Sequence, residues 1–255
     1  MKSEALTVLE WIYEPKTFFE TPWMLTFADG AIRVEAGTAR GQFDAVHYAA
    51  GRAFRDAADA RLRTAFLAQQ VQVQQSFILR PSTMMLAHPD GRTDVTMFAE
   101  PLTLQVSVGR MDLTHISGDG TVIADSRTER LDRQSVFRQS VMDLHPIDLT
   151  LQRMLQSYNS ALNDGDNLLV HLHEIREALT TELGPKRSAH EVVDVSLADW
   201  RKFGKLANDE PLLEGRHRGK HQTLRKLTAA EASWAREFCK RIIEGYVSFK
   251  SAKAD

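Results

Sequence analysis

The sequence predicts an α+β protein: a mixed, β-rich front domain carrying one long helix, then an all-α helical bundle. Three observations predict this. Apolar residues alternate at period two through most of the first 125 residues, broken by Gly- and Pro-centred turns. Residues 45–70 interrupt that pattern with an Ala-, Arg- and Leu-rich run. From about residue 128 the apolar spacing becomes 3.6 and stays so. The expected domains are 1–130 and 131–255, with the change of period placed near 127–147.

In the first segment Leu6, Val8 and Ile12 fall on one register and Leu9, Trp11 and Tyr13 on the other. Both faces carry apolar groups, so this reads as a strand covered on at least one side, ended by Pro15. Residues 23–27 and 31–35 flank Ala28-Asp29-Gly30, a hairpin signal because Asp and Gly tolerate positive φ. In residues 45–70, Val46, Ala50, Phe54, Ala57, Ala58, Leu62 and Phe66 recur at helical spacing, with Gly51 a weak point. Residues 71–79 alternate and predict a strand. Residues 84–87 and 93–99 flank His88-Pro89-Asp90-Gly91, where Pro presets φ and Gly takes the left-handed position. Residues 102–108 and 121–124 complete the strands, with Gly118-Asp119-Gly120 as a turn between them.

The rear reads as successive helices. Residues 131–144 form one, stopped by Pro146. Asp148 caps the next, with Leu149, Leu151, Leu155 and Tyr158 buried, and Asn163-Asp164-Gly165 breaks it. Asp166 or Asn167 caps a third, whose stripe is Leu168, Leu169, Leu172, Ile175, Ala178, Leu179 and Leu183, ended by Gly184-Pro185. Ser196 caps a short helix to Ala207. A polar loop covers 208–226. Thr228 and Glu231 match a capping box, and the last helix buries Trp234, Phe238, Ile242, Tyr246 and Phe249.

Composition narrows the function classes. The 255 residues are 43% hydrophobic and 26% charged, enough for a buried core. The formal net charge is −2, so affinity for a polyanion must come from a local patch. The single cysteine, Cys239, excludes an intramolecular disulfide and any cysteine-rich zinc site, and fits a reducing compartment. Acidic residues inside the short apolar run at 1–15 do not read as a signal peptide, and no apolar run is long enough to span a membrane. A cytoplasmic protein is expected.

The chemistry concentrates in Gly215-Arg216-His217-Arg218-Gly219-Lys220-His221. Arg201, Lys202 and Lys205 precede it and Arg225 and Lys226 follow, against Asp209, Glu210 and Glu214. Arg forks bind phosphate oxygens at two points, and His exchanges a proton near neutral pH. Together they supply what metal-free phosphodiester cleavage needs. The alternative is a solvated basic loop closing a bundle, with Arg216 and Arg218 pairing nearby carboxylates.

Other constellations carry less. His171 and His173 project about 200° apart on a helix and cannot share a metal; His171, near the apolar edge, reads as a hydrogen-bonded structural residue. Asp112, Asp119 and Asp125 read as turn or strand residues before a cation site. No metal-ligand spacing, phosphate loop or nucleophile elbow is present, so no metal and no cofactor are expected. Trp200, Phe203 and Trp234 flank the basic loop as core residues or base-stacking platforms.

Arg216 and His221, four residues apart with polar His217 after the Arg, resemble the Arg-x(4–6)-His motif of HEPN ribonucleases. The helix at 168–179, LLVHLHEIREAL, resembles the Leu-rich helix of Apea-like HEPN domains. The resemblance covers residues 148–250; Gly219, Pro211 and Gly215 depart from it by making the segment loop-like. It implies a homodimer of bacterial toxin or phage-defence type with a composite RNA-cutting site. There Arg216 would bind the scissile phosphate, His221 would be the acid or base, and His217 would support them. Arg218, Lys220, Arg225, Lys226 and Lys205 are the expected phosphate or nucleic-acid contacts. The chain thus reads as an RNA- or nucleotide-binding protein, a metal-independent endoribonuclease in its catalytic form. The alternatives are a non-catalytic module whose basic loop docks an acidic protein or nucleotide, and an enzyme acting through the front sheet.

Overall fold

A computed structural model describes residues 5–96, 114–116, 122–220 and 222–253. The chain is α+β and divides into two compact units, Met1–Phe66 with Gln75–Gly109, and Leu67–Gln74 with Arg110–Asp255. Among the described residues no helix is long and apolar enough to cross a membrane.

The first unit is built on an antiparallel sheet. Its strands are β1 (Leu6–Glu14), β2 (Trp23–Phe27), β3 (Gly30–Glu35) and β4 (Thr38–Asp44), then, after α1 (Val46–Ala50) and α2 (Arg52–Val73), β5 (Ile78–Leu79), β6 (Thr83–Ala87) and β7 (Thr93–Thr96). The order is β2-β3-β4-β1-β6-β7, with β5 also on β1. Central β1 places Leu9 opposite Gly41 of β4 and Met84 of β6. Thr7, Leu9, Trp11 and Tyr13 are buried, while Leu6 and Ile12 on the other register are exposed. Tyr13, Phe18, Phe19 and Phe66 form an aromatic cluster. Beneath the sheet the buried Arg55 guanidinium lies 3.3 Å from the Asp59 carboxylate, which also accepts from Ser82 and Trp11.

Four sequence expectations change here. The hairpin at 28–30 forms, but Gly30 is required by close approach: a Cβ there would sit 2.4 Å from the Phe43 ring. β4 was not expected; the β3–β4 turn uses Ala36 and Gly37 at φ 49° and 92°, without the Asn or Asp that usually marks it. Gly51, at φ 55°, separates two helices where one was expected. Residues 71–73 continue α2 rather than opening a strand. Their Val/Gln alternation imitates period two, but Gln69 and Gln72 are buried because Gln134 and Glu244 accept from their amides. The turn at 88–91 forms as expected, with Gly91 at φ 86°. The expected strand at 102–108 and the turn at 118–120 lie outside the described residues.

The second unit begins with the last residues of α2 and the paired strands β8 (Thr114–Ile116) and β9 (Val122–Asp125). The helices follow: α3 (Ser126–Leu144), α4 (Leu149–Asn163), α5 (Leu168–Leu183), α6 (Ala189–Val192), α7 (Leu197–Asn208) and α8 (Ala229–Ser251). Asp125 starts α3 earlier than expected by accepting from the Arg127 N–H. Asp148 and Ser196 cap α4 and α7, and Thr228 with Glu231 forms the capping box of α8, as their spacing predicts. Asn167 holds the cap position of α5 without a side-chain cap bond.

Helix α8 is the central element. Phe238, Cys239, Ile242, Ile243, Tyr246 and Val247 are buried along it, and α3, α4, α5, α6 and α7 all pack against it. Gly245 lets α8 meet the backbone after α6: a Cβ there would lie 2.5 Å from the Val193 carbonyl oxygen. Leu149, expected in the core, is 65% exposed because α4 turns Thr150 and Leu151 inward instead.

Candidate phosphate-binding site

The basic loop is fastened at its start to the end of α7. The Asp209 and Glu210 N–H groups donate to the Lys205 carbonyl. Buried Leu212 anchors the descending arm, which runs beside the returning arm: Arg225 N–H donates to the Pro211 carbonyl and Leu213 N–H to the Arg225 carbonyl. Between the arms, Arg216 N–H donates to the Ala207 carbonyl at 2.9 Å. That bond brings the Arg216 side chain against α5.

There the guanidinium is held by one nitrogen. Arg216 Nη1 donates to His173 Nδ1 at 2.8 Å and to Glu177 Oε1 at 3.0 Å, with Asn208 Oδ1 at 3.5 Å. Those first two acceptors account for both Nη1 hydrogens. Among the described residues, Nε and Nη2 of Arg216 have no hydrogen-bond partner. This is one edge of the planar fork, the edge that meets two oxygens of a phosphate or carboxylate. The Arg216 side chain is 30% exposed, so solvent reaches it.

His173 makes this arrangement electrostatically possible. It is buried on α5 between Leu172 and Ile175, and its ring stacks on Phe203 of α7. Burial, then the Arg216 charge, push its pKa down to about 4, so the imidazole is neutral at physiological pH. A neutral ring has one acceptor nitrogen. Two donors compete for it: Arg216 Nη1 lies 2.8 Å from Nδ1, and Asn208 Nδ2 lies 3.1 Å from Nε2 while the Asn208 oxygen faces Arg216. Glu177 supplies the only carboxylate that bonds the guanidinium among the described residues.

The other expected residues divide into engaged and open groups. Arg218 is turned away from Arg216: its Nε donates to the Gly215 carbonyl, and its Nη2 to the Asp166 carbonyl and Asn167 Oδ1. Arg225 forms a two-point pair with Glu231 at 2.7 and 2.8 Å, joining the loop to the capping box of α8. Lys205 lies 3.7 Å from Glu210 and is 71% exposed. His217, Lys220 and Lys226 are exposed. His217 is close enough to help lower the His173 pKa. His221 lies outside the described residues.

His173, Glu177 and Asn208 were not read from the sequence as partners of Arg216. The available signal was His173 four residues after Leu169 and four before Glu177, which puts an imidazole at the inner edge of the apolar stripe with a carboxylate beyond it. His171, placed near that edge by the sequence, is the more exposed of the two; its Nε2 lies 3.2 Å from Asp164 Oδ2. The two imidazoles thus have separate partners. Asp125 is a helix cap, and Asp112 and Asp119 lie outside the described residues. Among the described residues no group of three or more His, Cys, Asp or Glu is placed to hold a metal ion. Cys239 is buried, and burial raises its thiol pKa. Trp200 is buried beneath the Arg176 guanidinium and Phe203 is buried beside it, which leaves half-buried Trp234 as the accessible ring near the loop.

No family model, curated protein or solved structure matches the chain.

Proposed function

We propose that the helical unit binds RNA or a nucleotide through a phosphate gripped by the open edge of Arg216. The observation that carries this reading is the one-sided hold on the guanidinium. A purely structural arginine has its donors distributed over protein acceptors, as Arg218 does. Arg216 is instead fixed by Nη1 alone, and among the described residues Nε and Nη2 have no partner on a side chain that is already held in place. Ordering the side chain in advance lowers the entropy lost when an anion binds. Lys205, Lys220 and Lys226 add exposed positive charge around the loop, which attracts a polyanion despite the net charge of −2.

In the catalytic form of this proposal, His221 moves the proton of the 2′-hydroxyl or of the leaving oxygen. His217 supports it, and Arg216 stabilises the phosphate charge. The HEPN resemblance adds a homodimer and a role in bacterial defence to the same proposal.

The test is incubation of the full chain with single-stranded RNA in excess chelator. Cleavage leaving 2′,3′-cyclic phosphate ends, abolished by His221→Ala with the fold intact, supports an endoribonuclease. Salt-sensitive binding without cleavage supports RNA recognition alone. Absence of both removes the RNA reading and leaves docking of an acidic protein.

A further inference from the structure

A concave site lies on α7 beside Lys202 and Lys205. It is a cleft between α7 and the start of α8, with a volume of about 520 Å3. This is within the range, roughly 300–1,000 Å3, of small-molecule sites. Lys202 and Lys205, one turn apart on α7, form one wall, and Ala230 and Trp234 of α8 form the other. Leu206 contributes apolar floor, and Arg225, Glu210 and Glu231 close the end.

The hydrogen-bonding capacity of this lining is unevenly used. Both oxygens of Glu231 accept from Arg225, and Oε2 also accepts from the Thr228 N–H and hydroxyl. Glu210 lies within ion-pair distance of both Arg225 and Lys205. The acids are therefore engaged by the protein. Lys202 is not: its ammonium rests over the Trp234 ring, 3.9 Å from the centroid, and among the described residues no carboxylate pairs with it. An exposed cation–π contact of this kind is weak and readily exchanged. The cleft thus offers an indole face covered by a movable ammonium, with a second exposed ammonium one turn away.

We propose that this cleft binds a small planar aromatic anion, its ring replacing the Lys202 ammonium over Trp234 and its phosphate or carboxylate meeting Lys202 and Lys205. The displaced ammonium exchanges a weak contact with the indole for a charge-assisted one with the ligand. The cleft is centred on Lys202 and Trp234 and does not include Arg216, although Lys205 also belongs to the basic patch around the loop.

The experiment is calorimetric titration of the full chain with adenosine 5′-monophosphate and, separately, with anthranilate, up to about 10 mM. Adenosine and inorganic phosphate serve as controls for ring and anion alone. Saturable binding of either aromatic anion is expected, weakened about tenfold or more by K202Q/K205Q; because the nucleotide phosphate also meets the Arg216 grip, adenosine 5′-monophosphate is titrated into R216Q, with K202Q/K205Q added for comparison. The anion that binds identifies whether a nucleotide or an aromatic carboxylate is the source. The lysines are exposed, so the double variant keeps the fold. Binding by neither anion overturns the proposal. So does binding of inorganic phosphate as tightly as the ring-bearing anions, or binding to R216Q that K202Q/K205Q leaves unaffected.

Discussion

Arg216 Nη1 sits 2.8 Å from His173 Nδ1, so a cation on the loop is positioned by a neutral ring in the bundle core. Glu177 already pairs with the guanidinium at 3.0 Å, and the imidazole orients it further without adding a second negative charge. His173 is therefore a positioning residue for anion binding. Removing its acceptor with His173→Ala should weaken RNA affinity about tenfold while leaving the salt dependence unchanged, because no charge is lost. His173→Gln, whose carboxamide oxygen can accept from Nη1, should recover part of the loss. Fluorescence anisotropy with labelled RNA reads both. Unchanged affinity in His173→Ala would exclude the positioning role.

The same histidine makes stability depend on pH. Its pKa is about 4 in the folded chain against 6.5 ordinarily. Between those values the unfolded chain binds a proton that the folded chain does not, so stability falls on acidification from pH 6.5 to 4 and the loss levels off below. The size is on the order of 2 kcal/mol. Urea unfolding across this window should show the dependence, and His173→Gln should flatten it. An equally steep dependence in that variant would place its origin elsewhere.

Glu231 joins two structures, the capping box of α8 and the pair with Arg225 that fastens the loop. The Arg225 guanidinium and the Thr228 N–H hold its pKa down to about 2. Its contribution is complete above pH 4.5 and is lost as pH falls towards 2. Glu231→Ala should lower the unfolding free energy by about 1–2 kcal/mol at neutral pH. A urea midpoint equal to that of the parent chain would contradict this.

Gly245 has no room for a methyl group beside the Val193 backbone. Gly245→Ala should lower stability by about 1–3 kcal/mol, despite alanine's better helix propensity, because α8 must move away from the α6 turn. Thermal unfolding decides the sign, and a raised midpoint would mean that the helices separate freely.

Much of the fold was legible in the sequence because local chemistry and tertiary packing agree. Asp148, Ser196 and the Thr228–Glu231 pair cap the helices that their spacing predicts. Where long-range contacts decide, the sequence misleads. Residues 71–73 look like a strand until Glu244 is seen accepting from buried Gln72. β4 is hidden by a turn of Ala36 and Gly37, which lacks the usual side chains. For the site, the chain pattern singled out Arg216 but grouped it with its loop neighbours. Its partners His173 and Glu177 lie on α5, about 40 residues earlier, and no local period reveals a contact of that separation.

The most direct test of the account is the affinity of a labelled single-stranded RNA of about ten nucleotides, measured at several salt concentrations for the parent chain, Arg216→Lys and Arg216→Gln. The open guanidinium edge predicts about tenfold weaker binding for Arg216→Lys at a similar salt slope, since an ammonium keeps the charge without the fork. Arg216→Gln should bind more weakly still, with the slope reduced by about 0.7, the value for one lost phosphate contact on a single strand. Parent-like affinity and slope in Arg216→Gln would contradict the assignment.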